Sequence, residues 1–350
     1  GYDGGYRYGY GHPVKDERIK EEPMSHPIHG VTLAELYKAR KRIAGQVVRS
    51  TPLSRRFEAE VLLKLETCQP TGAFKLRGAT NMIAALIERH GREALARGVT
   101  TASTGNHGRA VAFAAARLGV PATICLSTLV PANKIAAIES LGATVTRIGA
   151  SQDEAFKEVA RLVDEEGMTL VPPFDDPLIA AGQGTIGLEL LEDAPGLDRV
   201  FVGLSGGGLL GGIGAAMKAI RPEAQITGVS LSRGAAMWKS LEAGHPVTVE
   251  EAESLGDSLG GGIGLDNRCS FALVDEVMDD HYQVSEAAIA HAMVDMLENE
   301  KLLVEGAAAV GLAAIEEHHI DIRGQTVALI VSGNGVSLET LDRARHLVGR

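Results

Sequence analysis

VTTASTGNHGRAVAFAAARLGVPATICL, residues 99–126, is the stretch on which the reading of the fold turns. Its β-branched opening at 99–103 reads as a strand, the alanine-rich run at 108–118 as a helix, and the apolar run at 122–126 as a second strand. A strand, a crossover helix and a strand in that order form a βαβ unit, whose two strands run parallel. The alternation continues outward, with strands expected at 61–65, 144–148, 200–205, 225–230 and 326–332. Helical patterns fall between them at 78–90, 134–141, 152–166, 181–191 and 286–298. The fold class is therefore α/β, with open, twisted parallel sheets covered by helices on both faces. VPPFDDP at 171–177 interrupts the pattern with three prolines and marks a return crossing from one domain to the other. The expected division is a large domain of 24–79 plus 171–350 and a small domain of 80–170, with no internal repeat. Little sequence follows Ser332, so no appended regulatory domain is expected there.

Composition narrows the function classes. With 34 Lys+Arg against 45 Asp+Glu the formal net charge is −11, and the 45% hydrophobic and 23% charged fractions are those of an ordinary globular protein. An acidic chain without a dense Lys/Arg stripe repels phosphate backbones and anionic lipid, so neither nucleic acid nor membrane is an expected partner. No apolar run reaches the roughly 18 residues that would span a bilayer, and no signal-peptide core is found. Cys68, Cys125 and Cys269 are widely spaced and form no CxxC, which points away from disulfides and zinc and towards a cytoplasmic location. Cys269 is expected to be a packed, unreactive thiol. Residues 1–23, where Tyr2, Tyr6, Tyr8 and Tyr10 crowd together, are expected to be an appended or disordered extension ahead of Met24. His90, His281 and the His318–His319 pair are expected on helical surface or loops and lack ligand spacing, so no metal site is expected.

Ligands of open parallel sheets sit where strands end and helices begin, because free N–H groups there attract anions. There are 42 glycines, where ordinary usage would give about 25, and many lie in such loops. Three loops qualify: Ser103-Thr104-Gly105-Asn106-His107-Gly108, Ser205-Gly206-Gly207-Gly208-Leu209-Leu210-Gly211-Gly212, and Ser332-Gly333-Asn334-Gly335. The second has no GK[ST], and the strand after it ends in Ser230 rather than a carboxylate that could hold a ribose, so a lone phosphate fits better than a dinucleotide. Lys75 lies in TGAFKLRGA (71–79), after Phe74 and before a long helix. Desolvation there would lower its pKa and make the amine nucleophilic. A Schiff-base lysine and a phosphate cradle together are what pyridoxal phosphate requires.

TGAFKLRGA, STGNHGRA, FDDPLIAAGQGTIGLELL, SGGGLLGG and SGNG occur in the order found in the threonine and serine dehydratase family of pyridoxal-phosphate enzymes, which also contains serine racemase. The resemblance spans about residues 33–337 and implies a fold type II enzyme with the cofactor in the cleft between domains. LGGGIGLDNRCSFALV at 259–274 also resembles the hydroxyectoine utilisation dehydratase branch. By resemblance, Lys75 binds the cofactor covalently and its freed amine takes the Cα proton. Gly206, Gly207, Gly208 and Leu209 bind the phosphate through backbone N–H groups, with Ser205 in place of a first glycine. Asn106 faces the 3′-oxygen, Phe74 packs on the ring, and Ser332 faces the pyridine nitrogen. Ser103, Thr104, Gly105 and His107 belong to the loop that holds the substrate carboxylate.

A neutral Ser332 favours β-elimination of water over transamination. The implied activity is dehydration of a small β-hydroxy amino acid to a keto compound and ammonia, by a homodimer. Glu305 resembles a family glutamate near the site, with a buried ion pair as the other reading. Two departures bear on this expectation. Thr104 replaces the second serine of serine racemase, which disfavours racemisation while leaving it the alternative activity. Ser230 replaces a glutamate that binds a structural metal ion in relatives, leaving Asp257 as the carboxylate that could serve one. A catalytically silent, phosphate-binding relative is the alternative outside enzymes.

Overall fold

The computed structural model describes residues 29–350, so the expected extension at 1–23 and the start at Met24 lie outside the described residues. The strands are β1 Leu53–Arg56, β2 Ala59–Leu65, β3 Val99–Thr101, β4 Ala122–Leu126, β5 Thr144–Arg147, β6 Thr169–Leu170, β7 Arg199–Gly203, β8 Gln225–Leu231, β9 Asp280–Val284 and β10 Thr326–Val331. They form a six-stranded sheet in the order β1-β2-β10-β7-β8-β9 and a four-stranded sheet in the order β5-β4-β3-β6. Every pairing is parallel except that of β1 with β2.

Period-two alternation explains how one strand serves two cores. In β10, Val327, Leu329 and Val331 join a cluster with Leu312 of the helix Gly306–Glu317. Ala328 and Ile330 point the other way, to Ile186 of the helix Pro177–Asp193 and Ile213 of the helix Gly208–Ile220. The four-stranded sheet repeats the arrangement. Ile124 and Leu126 pack with the helix Asn106–Leu118, while Cys125 packs with Ala155, Val159 and Leu162 of the helix Gln152–Glu166.

Several boundaries move from those expected, each for a local reason. The helix expected at 181–191 begins at Pro177, whose missing N–H costs nothing at the first turn, and Asp176 caps it by accepting a 2.7 Å hydrogen bond from the Leu178 N–H. The helix expected at 78–90 begins at Lys75, which places the lysine in its first turn. The strand expected at 99–103 stops at Thr101, and the helix after it starts at Asn106 rather than at 108. The strands expected to end at 205 and 332 end at Gly203 and Val331, so Ser205 and Ser332 lie in the loops beyond them. Edge strands β1 and β9 escaped the pattern because β1 buries nothing fully and β9 only Val284. His281 lies in β9 and is half-buried, not on a helix surface or in a loop. No helix among the described residues is long and apolar enough to cross a membrane.

The order β2-β10-β7 positions the site. Because β10 is inserted between two strands that precede it in sequence, the loops leaving β2, β10 and β7 emerge side by side, at a topological switch point.

Candidate active site

Lys75 opens the helix Lys75–His90, and the backbone before it is strapped to the loop after β10. Phe74 N–H donates to the Ser332 carbonyl at 3.0 Å, Ala73 bridges Gly333, and Asn334 N–H donates to the Gly72 carbonyl at 2.9 Å. Ser332 is buried beside this strap. The Lys75 amine donates to the Pro173 carbonyl at 2.8 Å and lies 5.2 Å from the centre of the Phe74 ring. Burial lowers its pKa to about 8, against the partial opposition of the Glu305 carboxylate. An amine titrating there is nucleophilic near neutral pH.

The glycine loop follows β7. Gly207 takes φ +90°, a region costly for side chains, and no side chain caps the helix Gly208–Ile220 that starts beyond it. Among the described residues no protein acceptor faces the N–H groups of Gly206, Gly207, Gly208 and Leu209. A Cβ on Gly206 would lie inside the ring of Phe174, the farthest of the three nearest ring carbons being 2.6 Å away. The loop is therefore a row of unpaired donors lying against an aromatic floor.

VPPFDDP was expected only to cross between domains, yet it touches His107, Lys75 and the glycine loop. The Val171 carbonyl holds His107 Nε2 at 2.8 Å, the Pro173 carbonyl holds Lys75, and Phe174 underlies the glycine loop. Asp175 accepts hydrogen bonds of 2.8–3.2 Å from the N–H groups of Arg268, Cys269 and Ser270, capping the helix Ser270–Val277. Burial, then the Lys75 charge, push His107 down to about 3, so the ring is neutral and serves as a donor to Val171. In the loop after β3, Ser103 Oγ accepts the Gly105 N–H at 3.2 Å, Thr104 is half-buried, and Gly105 caps the helix that Asn106 opens. Asn106 reaches Glu305, which also receives Ser258 Oγ at 2.6 Å and the Gly335 N–H at 2.7 Å. Glu305 is thus a junction of three loops: among the described residues no cation lies within salt-bridge distance of it, although its charge is felt by the buried Lys75 amine.

Behind the lysine lies a buried network of opposite sense. Arg77 pairs with Glu66 and, at 2.7 Å, with Glu189, which is 3.2 Å from Lys64; Arg77 also donates to Thr185 Oγ1 at 3.0 Å. Two cations balance two carboxylates, as charges removed from water require. Nothing in KLRG distinguishes buried Arg77 from an ordinary surface arginine.

Among the described residues no cluster of three His, Cys, Asp or Glu is arranged to hold a metal ion. Ser230 Oγ lies 2.7 Å from His281 Nε2, and the His281 ring stacks on Trp238 with centroids 3.9 Å apart. Burial pushes the Cys269 thiol up to about 12, so it is unreactive as expected. Phe174, Pro173 and Asp175 had no signal in spacing, because their roles arise from contacts with distant segments, whereas Arg109 acts within its own helix turn on Asn106.

The family described as "Pyridoxal-phosphate dependent enzyme" matches residues 44–333. An L-threonine ammonia-lyase of Thermotoga maritima is 38% identical over 318 residues, 89% of this chain and 78% of that protein. Maize serine racemase superposes with a TM-score of 0.82 at 32% identity, covering 91% of this chain and 99% of that one. The processed form of threonine deaminase isoform 2 from Solanum lycopersicum gives 0.82 at 30% identity, covering 96% and 100%.

Proposed function

The chain belongs to the pyridoxal-phosphate dependent enzyme family, and from that premise we propose that it is an ammonia-lyase of the dehydratase type, eliminating water from threonine or serine. The residues present fit the cofactor. Lys75 is a buried amine with a pKa of about 8, and the unpaired N–H groups of Gly206, Gly207, Gly208 and Leu209 at a helix start suit a phosphate. Phe74 and Ser332 would flank its ring, and Asn106 would meet its ring oxygen. When bound, the cofactor supplies an electron sink for the carbanion formed at Cα.

The protein's own residues do the rest. Lys75 anchors the cofactor and then, freed as a neutral amine beside the Pro173 carbonyl, removes the Cα proton. Ser103, Thr104, Gly105 and the neutral His107 shape the carboxylate loop at the start of the helix Asn106–Leu118, whose dipole favours an anion. Ser332 offers no negative charge to hold a ring nitrogen protonated, which favours elimination over transamination. The observation that carries the reading is the depressed Lys75 amine beside an unpaired N–H cradle. The reading keeps 24–79 plus 171–350 and 80–170 as separate domains, on the support of the two sheets, with the cleft between them closing on substrate. It also places the enzyme in the cytoplasm as a homodimer, which fractionation and light scattering check.

Within the class of small β-hydroxy amino acids, a hydroxyectoine-derived one is the other candidate beside threonine and serine. Its support is the stretch at 259–274, which walls the site: Leu259 packs toward Gly203, and Ser205 Oγ donates to the Gly260 carbonyl at 3.4 Å. A second reading, an amino-acid racemase, is favoured by the likeness to maize serine racemase. L-serine, L-threonine, 3-hydroxyaspartate and hydrolysed hydroxyectoine would be assayed for ammonia and keto product, with chiral analysis of recovered substrate. Ammonia release that requires Lys75 supports the proposal, and inverted substrate without ammonia supports the racemase. A protein that takes up no cofactor, with no borohydride adduct at Lys75, refutes both and leaves a silent relative.

A further inference from the structure

An asparagine side chain has two unlike ends, and which end meets the cofactor decides what it can do there. Asn106 Nδ2 lies 3.2 and 3.1 Å from the two oxygens of Glu305, while its Oδ1 accepts a 2.6 Å hydrogen bond from Arg109. A carboxylate only accepts and a guanidinium only donates. Turning the amide over would set its oxygen against the carboxylate and its NH2 group against the guanidinium.

Glu305 is not free to yield. It is 4% exposed, its carboxylate receives Ser258 Oγ and the Gly335 N–H, and its own N–H donates to the Gly333 carbonyl at 3.1 Å. The space beside Gly335 shows how closely the groups converge. A Cβ there would lie 2.8 Å from Asn106 Oδ1, 3.0 Å from an Arg109 nitrogen and 3.1 Å from Glu305 Oε2. We infer that Arg109 and Glu305 are positioning residues that lock the Asn106 amide so that its second N–H, and never its oxygen, is presented to the cofactor's ring oxygen. The inference rests on the reading of Asn106 given under the proposed function, and it assigns roles to two residues that need not touch the cofactor.

The lock has a spectroscopic consequence. A ring oxygen that receives an N–H is held deprotonated and absorbs in the visible, whereas one facing a carbonyl oxygen is driven to its protonated form, which absorbs in the near ultraviolet. The parent protein and its Asn106→Ala, Asn106→Asp, Glu305→Gln and Arg109→Met variants would be stripped, reloaded with pyridoxal phosphate and titrated with pH. Glu305→Gln is isosteric and Arg109 is only half-buried, so both variants should melt near the parent. Asn106→Asp, which cannot donate when ionised, should move the absorbance to the near ultraviolet. Glu305→Gln and Arg109→Met should each move part of it the same way and weaken cofactor binding by about tenfold, equivalent to about 1.4 kcal/mol. If the Asn106 variants change the spectrum while Glu305→Gln and Arg109→Met keep the parent's bands and affinity, the lock is refuted and the reading of Asn106 stands. If Asn106→Ala also leaves the spectrum unchanged, Asn106 does not meet the ring and both fall.

Discussion

Adding one methyl group at Gly206 tests whether the aromatic floor under the glycine loop shapes the cofactor site. In Gly206→Ala the new carbon would sit among the ring atoms of Phe174, within 2.6 Å of three of them, where comfortable carbon contacts are about 3.5–4.0 Å. The ring would have to retreat by about 1 Å or more. It is held on both sides, because the Pro173 carbonyl binds the Lys75 amine and the Asp175 carboxylate caps the helix Ser270–Val277. Overpacking of this kind costs roughly 1–3 kcal/mol. If opening the loop relieves the strain, that energy is lost from cofactor affinity, a weakening of about 5- to 150-fold. Trp238 is the sole tryptophan and follows Met237, whose Cε would be 2.8 Å from a Cβ on Gly207, so quenching of its fluorescence should report loading. Phe174→Ala combined with Gly206→Ala removes the obstacle and should recover most of the lost affinity. The reasoning is refuted if Gly206→Ala binds pyridoxal phosphate as tightly as the parent, or if the double variant binds as weakly as the single one.

Four other outcomes follow from groups already described. Lys75 has its folded pKa lowered from 10.5 to about 8, so at pH 7 it is charged in both folded and unfolded states and folding bears the cost of burying it. Lys75→Met should therefore stabilise the cofactor-free protein at pH 7 by at most about 3 kcal/mol, the gain shrinking as pH rises from about 8 to 10.5, as denaturant melts at several pH values would show. Cofactor capture by Lys75, followed by absorbance, should rise with a midpoint near pH 8 and not near 10.5. Arg77→Met leaves Glu66 and Glu189 facing each other with Lys64 alone, and should cost about 3–5 kcal/mol in urea unfolding, partly restored by adding Glu66→Gln. Asp175→Ala uncaps the helix Ser270–Val277 and should cost about 1–2 kcal/mol in the same measurement, with weaker cofactor binding because Phe174 is released.

Chemistry that belongs to one segment was legible before the structure. Lys75 at the start of a helix and the glycines after β7 owe their place and their local chemistry, a buried amine and unpaired N–H groups, to backbone and residue type within one segment, and the alternation of short apolar strands with alanine-rich helices announced the α/β class. Phe174, Pro173 and Asp175 act through partners on other segments, and no spacing reveals such a partner. The same holds for Arg77, whose burial depends on Glu66 and Glu189 arriving from separate elements. Edge strands β1 and β9 were missed for another reason: the alternation that marks a strand is imposed by a core on one face, and at the edges little of the strand meets a core.

The place of β10 also governs the order in which the site can be assembled. Among the described residues β2 pairs only with β1 and β10, and β7 reaches β2 only through β10, so a chain emerging from the ribosome has made both flanks of the six-stranded sheet before it makes the strand that joins them. Until residues 326–331 are docked, the hairpin of β1 and β2 has no sheet to belong to, and Lys75 has no Ser332 loop against which its strap can close. Contacts at a sequence separation this large make folding slow relative to local structure. Lys75 is thus made early and its surroundings late, and a cofactor present during synthesis would find its amine organised only after the chain has been delivered through residue 334.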